Sequence, residues 1–403
     1  MDTTANITFD IWNPKTRANP QAMYEQMRQE APVYEALGPI TGRRFWFFTR
    51  YDDSVAVLKD PRFGKDFLKH LTPEQLAEQP QDGAEFDAVN RHMLNLDPPD
   101  HTRLRALVHK AFTPRIIENL RPRIQQIADN LLDAAEGQHE FDLLEAYGFL
   151  VPITVIAELL GVPVADRERF RAWTKALLFG ISQDDARVSV LEFAMYMHEM
   201  IEERQKNPKE DLISGLVAVE DAGDKLDRQE LLSMIFLLLV AGHETTVNLI
   251  GNGTLALLQN RDQFDLLRSD PTLIKSAVEE MLRYNGPVET PTPRWAFEDV
   301  QFGDQVIAQG DIVLPSLLGA NRDPAYFADP NRFDIRRDPN KHIAFGNGIH
   351  YCLGAPLARL EGEIAIKTLV RRLPNLELNA PVESLTWNES ILIHGMNALP
   401  VRA

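Results

Sequence analysis

The sequence of 403 residues has one cysteine, Cys352. It therefore forms no intramolecular disulfide, multi-cysteine zinc site or iron–sulfur cluster. Positive charge is also in deficit. Against 59 Asp and Glu stand 42 Lys and Arg, a formal charge of −17. That argues against general binding to nucleic acid or anionic membranes, which need a positive field. The longest apolar stretch, Leu231 to Val240, contains a serine and is too short to span a bilayer. The opening MDTTANITFDIWNPKTRANP is polar and broken by proline, with no basic region leading into an apolar one. A cytoplasmic protein is expected. No repeat, low-complexity tract, or proline-rich or charged linker divides the chain, so residues 1–403 are expected to form one continuous unit.

What is present is mostly amphipathic helix, with 44% hydrophobic residues to supply a core. The periodicity predicts helices over Pro114–Ala135, Leu143–Leu160, Asp166–Leu178 and Val188–Gln205. Gly161 followed by Val162-Pro163 ends one of them. Strand signals are sparser: the aromatic run Arg44–Thr49, the glycine-punctuated Val300–Pro315, and Asn388–Val401. The longest predicted helix runs from Asp227 to about Asn260. Asp227 and Glu230 open it as a capping box. At 1.5 Å per residue it is about 50 Å long, enough to cross a whole domain and be buried along its middle.

The cysteine lies in FGNGIHYCLG, Phe345 to Gly354. Zinc needs three or four protein ligands, whereas heme needs one on its proximal side, and a thiolate is a strong donor to iron. Backbone N–H groups must approach the sulfur to tune its donation. Gly346 and Gly348 allow the turns this requires. Gly354 and Ala355 leave room for a flat macrocycle, and the helix opening at Pro356 helps hold an anionic sulfur. The rival, a cysteine nucleophile paired with His350, is weaker. Side chains two apart in a loop rarely face each other, and no cysteine-hydrolase signature surrounds them.

The pattern Phe345-Gly346-x-Gly348-x-His350-x-Cys352-x-Gly354 resembles the heme-binding loop of the cytochrome P450 family of heme-thiolate monooxygenases. Three further stretches match that family in order. EEMLRY contains Glu280 and Arg283, which resemble the family's Glu-x-x-Arg pair, and Arg332 of DPNRFD resembles the third member of that buried charge network. AGHETT, Ala241 to Thr246, resembles the oxygen-activation motif. There Ala241 and Gly242 leave space above the iron, Thr245 bonds back to the Ala241 carbonyl, and Glu244 stands beside it as the acid of a proton relay. DPPDHTRLRALVHKAF places His101 and Arg105 on one helical face. With Arg294 and His350 they match the positions that bind the heme propionates, whose burial requires cationic partners.

The resemblance covers essentially the whole chain and implies a mainly α fold with small β-sheets. In it a triangular helical body holds heme b (iron protoporphyrin IX) between the long central helix and the helix after the cysteine loop. It implies O2 activation and hydroxylation or epoxidation of a small, mostly apolar organic substrate by a monomer. Electrons would come from a separate ferredoxin or flavodoxin with its NAD(P)H-dependent reductase. The alternatives are a peroxide-using peroxygenase, which would replace the acid–alcohol pair, and a non-catalytic heme or ligand-binding protein, which would not need it. Leu237, Val240, Ala241, Val288, Ile391 and Leu392 are the expected pocket residues. Phe63–Leu96 and the helices around Phe170–Met197 are the expected roof. Arg103, Lys110 and Arg359 are candidate contacts for the electron donor.

Overall fold

The structure is a computed structural model and describes residues 8–38, 42–71, 89–179, 183–221 and 224–403. Helices dominate and small sheets pack against them.

The aromatic run does form a strand. β1 (Val33–Leu37) and β2 (Arg44–Phe48) pair antiparallel, with Val33 opposite Phe48. With β3 (Phe63–Gly64), β4 (Arg294–Ala296) and β5 (Ile312–Pro315) they make a sheet in the order β1-β2-β5-β4-β3. β2 and β5 are parallel, Phe45 beside Ile312, so distant parts of the chain meet at its centre. Successive side chains alternate between the faces. Phe47, Ile312 and Leu314 pack with Tyr24 and Met27 on one side. Trp46, Phe48 and Val313 pack with Phe63 and Ala296 on the other. Within the expected strand stretch Val300–Pro315, Val300–Phe302 and Gln305–Ile307 form a hairpin. The C-terminal stretch departs from expectation. Between 388 and 401 the only regular strand is the one over Pro400–Arg402; elsewhere there are isolated bridges, Val288 to Ile393 and Trp387 to Met396. The Ser390 hydroxyl takes the N–H groups of Leu392 and Ile393, so those donors close a local turn instead of a ladder.

The helices that carry the site are α1 (Asp100–Ala111), α2 (Arg121–Ala135), α3 (Leu150–Leu160), α4 (Arg228–Gln259), α5 (Ile274–Asn285) and α6 (Ala355–Arg372). Two predicted helices are interrupted. Pro114–Asn119 is separate from α2, which restarts with Pro122 in its first turn, where a missing N–H costs nothing. A π turn over Leu144–Gly148 precedes α3. The predicted helices over 166–178 and 188–205 are found as Arg167–Phe179 and Gln183–Lys206.

The long helix is present with its capping box. The Asp227 side chain accepts the Glu230 N–H, and the Glu230 carboxylate accepts that of Asp227. α4 packs against α3, α5 and α6 and is buried over most of its length. Its apolar character runs beyond Val240, so by length and composition alone it could cross a membrane, yet 61% of that apolar window is buried inside the protein.

Candidate functional site

The cysteine loop joins the chain before α6 to the start of that helix. Gly346 and Gly348 both have φ of 72°. A Cβ on Gly348 would lie 2.6 Å from the Leu58 carbonyl oxygen, so the loop needs glycine there for space as well as conformation. The Cys352 N–H donates to the Phe345 carbonyl at 3.0 Å, which closes the loop. The thiol is accessible on one side and crowded by protein on the others. Burial pushes it up from its ordinary pKa. The N–H groups of Gly354 and Ala355 and the charges of Arg105 and Arg359 pull the other way, as a thiolate site requires.

Four candidate cations surround this loop. His101, on α1, is buried and its ring lies 4.5 Å from that of His350. Arg105, one turn on, donates to the Tyr351 carbonyl at 2.7 Å. Arg294, on β4, donates to the Phe63 carbonyl at 3.1 Å and is pressed down to about 10 by burial. Both ring nitrogens of His101, Nε2 of His350 and Nε of Arg294 are buried without a hydrogen-bond partner. Burial depresses His101 and takes His350 down to about 4. Such a cluster of unfilled buried nitrogens is what a bound dianionic group would satisfy.

Two members of this cluster escape a reading of the sequence. Lys65 follows β3, and its buried ammonium donates to the Thr292 carbonyl and hydroxyl at 2.6 and 2.5 Å and to the Pro293 carbonyl at 2.9 Å. Burial and the charge of Arg294 push it well below the ordinary lysine range. Asp97 accepts the N–H groups of Lys65 and Asp66. Burial would raise its carboxyl, but His350 and those N–H groups hold it at about 2. Pro291 and Pro293 are the only external signal: a segment poor in N–H donors leaves carbonyls for a buried cation to take.

On α4, Ala241 is exposed in the middle of the helix, and Gly242, Glu244 and Thr245 are half-buried. The Thr245 hydroxyl donates to the Ala241 carbonyl at 3.0 Å, the expected back-bond. The Asn248 amide donates to the Glu244 carbonyl oxygen at 2.9 Å. His243 is buried, bonded through Nδ1 to the Leu239 carbonyl, and held by burial at about 4.

The charge network needs one correction. Glu280 and Arg283 are fully buried and paired through two hydrogen bonds of 2.8 Å. Arg332 is not their third charge. Its side chain is 67% exposed and among the described residues pairs with Asp334, at 3.9 Å. The guanidinium that joins Glu280 belongs to Arg337, with Nε 3.2 Å from both carboxylate oxygens. Arg332 contributes its carbonyl, which accepts from both Arg283 and Arg337. The turn between the two residues points the first side chain outward and the second inward.

The expected pocket residues fall into two groups. Leu237 is buried, Val240 half-buried and Ala241 exposed on α4. Val288, Ile391 and Leu392 lie on two adjoining segments, where the Thr290 hydroxyl donates to the Ile391 carbonyl and the Glu289 N–H to that of Leu392. Of the expected roof, residues 72–88 and 180–182 lie outside the described residues. Phe170, Trp173 and Phe193 form a buried aromatic cluster and serve the core. The candidate donor contacts are largely neutralised. Arg103 pairs with Asp224 and Glu230, and Arg359 with Glu279.

The family model described as Cytochrome P450 matches residues 175–394. Cytochrome P450 107B1 of Saccharopolyspora erythraea is 47% identical over 98% of this chain and 97% of its own. Cytochrome P450 monooxygenase PikC of Streptomyces venezuelae is 47% identical over 96% of this chain and 91% of its own. The solved structure of the bacillaene polyketide synthase cytochrome P450 PksS of Bacillus subtilis 168 superposes with a TM-score of 0.92. It is 43% identical and covers 98% of this chain and 99% of that one.

Proposed function

Since the chain belongs to the cytochrome P450 family, we propose that it is a single-domain, monomeric, cytoplasmic heme-thiolate monooxygenase. It hydroxylates or epoxidises a small, mostly apolar organic molecule, and a ferredoxin or flavodoxin with its NAD(P)H-dependent reductase brings the electrons. The observation that carries this reading is the unfilled buried set of His101, His350 and Arg294 nitrogens beside the loop of Cys352. The residues fit heme b. Cys352 would ligate the iron, His101, Arg105, Arg294 and His350 would hold the propionates, and Phe345, Gly346, Gly354 and Ala241 would leave it room.

Bound there, heme supplies one-electron chemistry and O2 activation, with the thiolate favouring O–O cleavage. The chain supplies the rest. The Glu280–Arg283–Arg337 network fixes the strand-to-loop segment that approaches Cys352. The carboxyl of Glu244 brings protons to α4, and the Thr245 hydroxyl, held by the Ala241 carbonyl, hands them on. The apolar side chains of Leu237, Val240, Val288, Ile391 and Leu392 would exclude water and orient the substrate. The intact acid–alcohol pair favours O2 over peroxide as oxidant. PksS is named for polyketide biosynthesis, and a polyketide is one mostly apolar substrate class that suits such a pocket.

The test is the absorption spectrum of the reduced protein with carbon monoxide, which reports thiolate ligation. Wild type should give the thiolate signature, and Cys352→Ala and Cys352→His should lose it. Retention of the signature in Cys352→Ala would overturn the ligand assignment. Compounds that displace iron-bound water and shift the ferric Soret band identify the substrate class.

A further inference from the structure

The two adjacent glutamates of EEMLRY serve different networks, because successive residues on a helix point about 100° apart. Glu280 turns to Arg283 and Arg337. Glu279 turns to α6 and the cysteine loop. There it pairs with Arg359 in a two-pronged contact, Nε to Oε1 at 2.7 Å and Nη2 to Oε2 at 2.9 Å. His342 joins the same carboxylate. Its Nδ1 accepts the Ala344 N–H, so its Nε2 carries the hydrogen and donates to Glu279 at 3.1 Å. Burial would raise the Glu279 carboxyl, but His342 and Arg359 hold it at about 2, so it is ionised at neutral pH.

Arg359 also reaches into the loop. Its guanidinium lies 4.5 Å from the centre of the Phe345 ring, and its Nη1 donates to the Tyr351 hydroxyl at 3.2 Å. Phe345 and Tyr351 flank the segment that ends in Cys352, and the Cys352 N–H is bonded to the Phe345 carbonyl. Arg359 thus touches two residues of the loop that precede the sulfur, while its charge is matched by Glu279. Arg105, by contrast, bonds the neutral carbonyl of Tyr351. The two guanidiniums near the sulfur differ in this respect.

We propose that Glu279 and Arg359 form a charge-tuning pair for the Cys352 site: Arg359 orders Phe345 and Tyr351, and Glu279 offsets its charge, so that together they set the reduction potential of the bound heme. This rests on the heme-thiolate reading above. A cation near the sulfur weakens the thiolate's donation and favours the reduced iron, and an anion does the reverse. The two residues therefore act with opposite signs on one property, although they share one bond.

The measurement is the reduction potential of the heme-loaded protein, beside its melting temperature and carbon monoxide spectrum. Glu279→Gln keeps the shape and leaves Arg359 uncompensated, so the potential should rise. Arg359→Gln leaves Glu279 uncompensated, so it should fall. Each shift should be about threefold to tenfold in the reduction equilibrium, tenfold being about 59 mV for one electron, because Arg359 is half-buried and partly screened. The double variant should return near wild type. Arg359→Lys should keep the potential and lose stability, since the fork and the ring contact are lost but not the charge. Equal-sign shifts, or none, overturn the pair, because loss of a purely structural anchor moves both variants the same way. If Arg359→Gln does not fold, Glu279→Gln decides alone: a rise supports the pair, and no change or a fall overturns it. A wild type without the thiolate signature overturns the heme-thiolate reading, and the pair with it.

Discussion

At the scale of single residues, Thr245 separates an oxygenase from a passive heme protein. Its hydroxyl is bonded within its own helix turn to the Ala241 carbonyl, so its removal would take away the group proposed to pass protons, and little packing. Thr245→Ala should keep heme content and substrate binding. Nicotinamide should still be consumed, while less product and more hydrogen peroxide appear per electron. An unchanged ratio of product to nicotinamide, measured in one assay, would remove Thr245 from the relay. The arginines of the charge network give a second contrast. Arg337, its side chain 11% exposed, pairs with the fully buried Glu280 and also donates to the carbonyls of Ala328, Asp329 and Arg332. Arg337→Met should cost about 3 kcal/mol, the lower end for breaking a buried pair, since Glu280 keeps Arg283. Arg332→Met should stay within about 0.5 kcal/mol. Chemical denaturation of both variants tests this, and the reverse ranking would contradict the geometry.

At the scale of elements, the cysteine loop makes unequal demands on its two positive-φ glycines. An alanine at either position meets the same left-handed backbone, a cost of roughly 1–2 kcal/mol. Only at 348 does the new Cβ also strike backbone, 2.6 Å from the Leu58 carbonyl oxygen; at 346 the nearest such atom is 4.0 Å away. Gly348→Ala should therefore lose more heme on purification than Gly346→Ala, as read from the ratio of Soret to protein absorbance. Equal retention would show that the contact with Leu58 is free to relax. Features of this local kind are legible in the sequence: the capping box of α4, the stop at Gly161, the loop glycines and the Thr245 back-bond all depend on neighbours a few residues away. The break at Leu120 is of the same local kind, since Pro122 inside Pro114–Ala135 lacks the N–H that an interior turn needs, although the apolar period alone runs straight through it. The choice of Arg337 over Arg332, and the places of Lys65 and Asp97, depend on segments far apart in the chain. Composition and spacing carry no record of which side of a turn faces inward.

At the scale of the whole molecule, pH acts through groups the fold buries. His92, His243 and His394 are held by burial at about 4, 4 and 3, against an ordinary 6.5. Below about pH 6.5 the unfolded chain protonates them and the folded one does not, so stability is lost as pH falls toward 4. Asp97 and Glu279, held at about 2, act lower down. They stabilise above their unfolded values and lose that contribution as pH falls from about 4 toward 2. Below pH 7 the melting temperature should therefore decline in two stages. His394→Gln, which can still bond Asn285, should flatten the upper stage. A decline beginning only below pH 4 would show that the histidines are not buried in neutral form.

The central pairing of the sheet also dictates when the molecule can be finished. β2 ends at Phe48, and the strand it runs beside, β5, starts at Ile312. During synthesis at about 5–20 residues per second, on the order of tens of seconds pass between the appearance of the two on the ribosome. Throughout that interval RFWFF is an aromatic strand with one open edge, the kind of edge that recruits other chains. The sequence separation of this one pairing keeps that edge open until shortly before the residues around Cys352 are made.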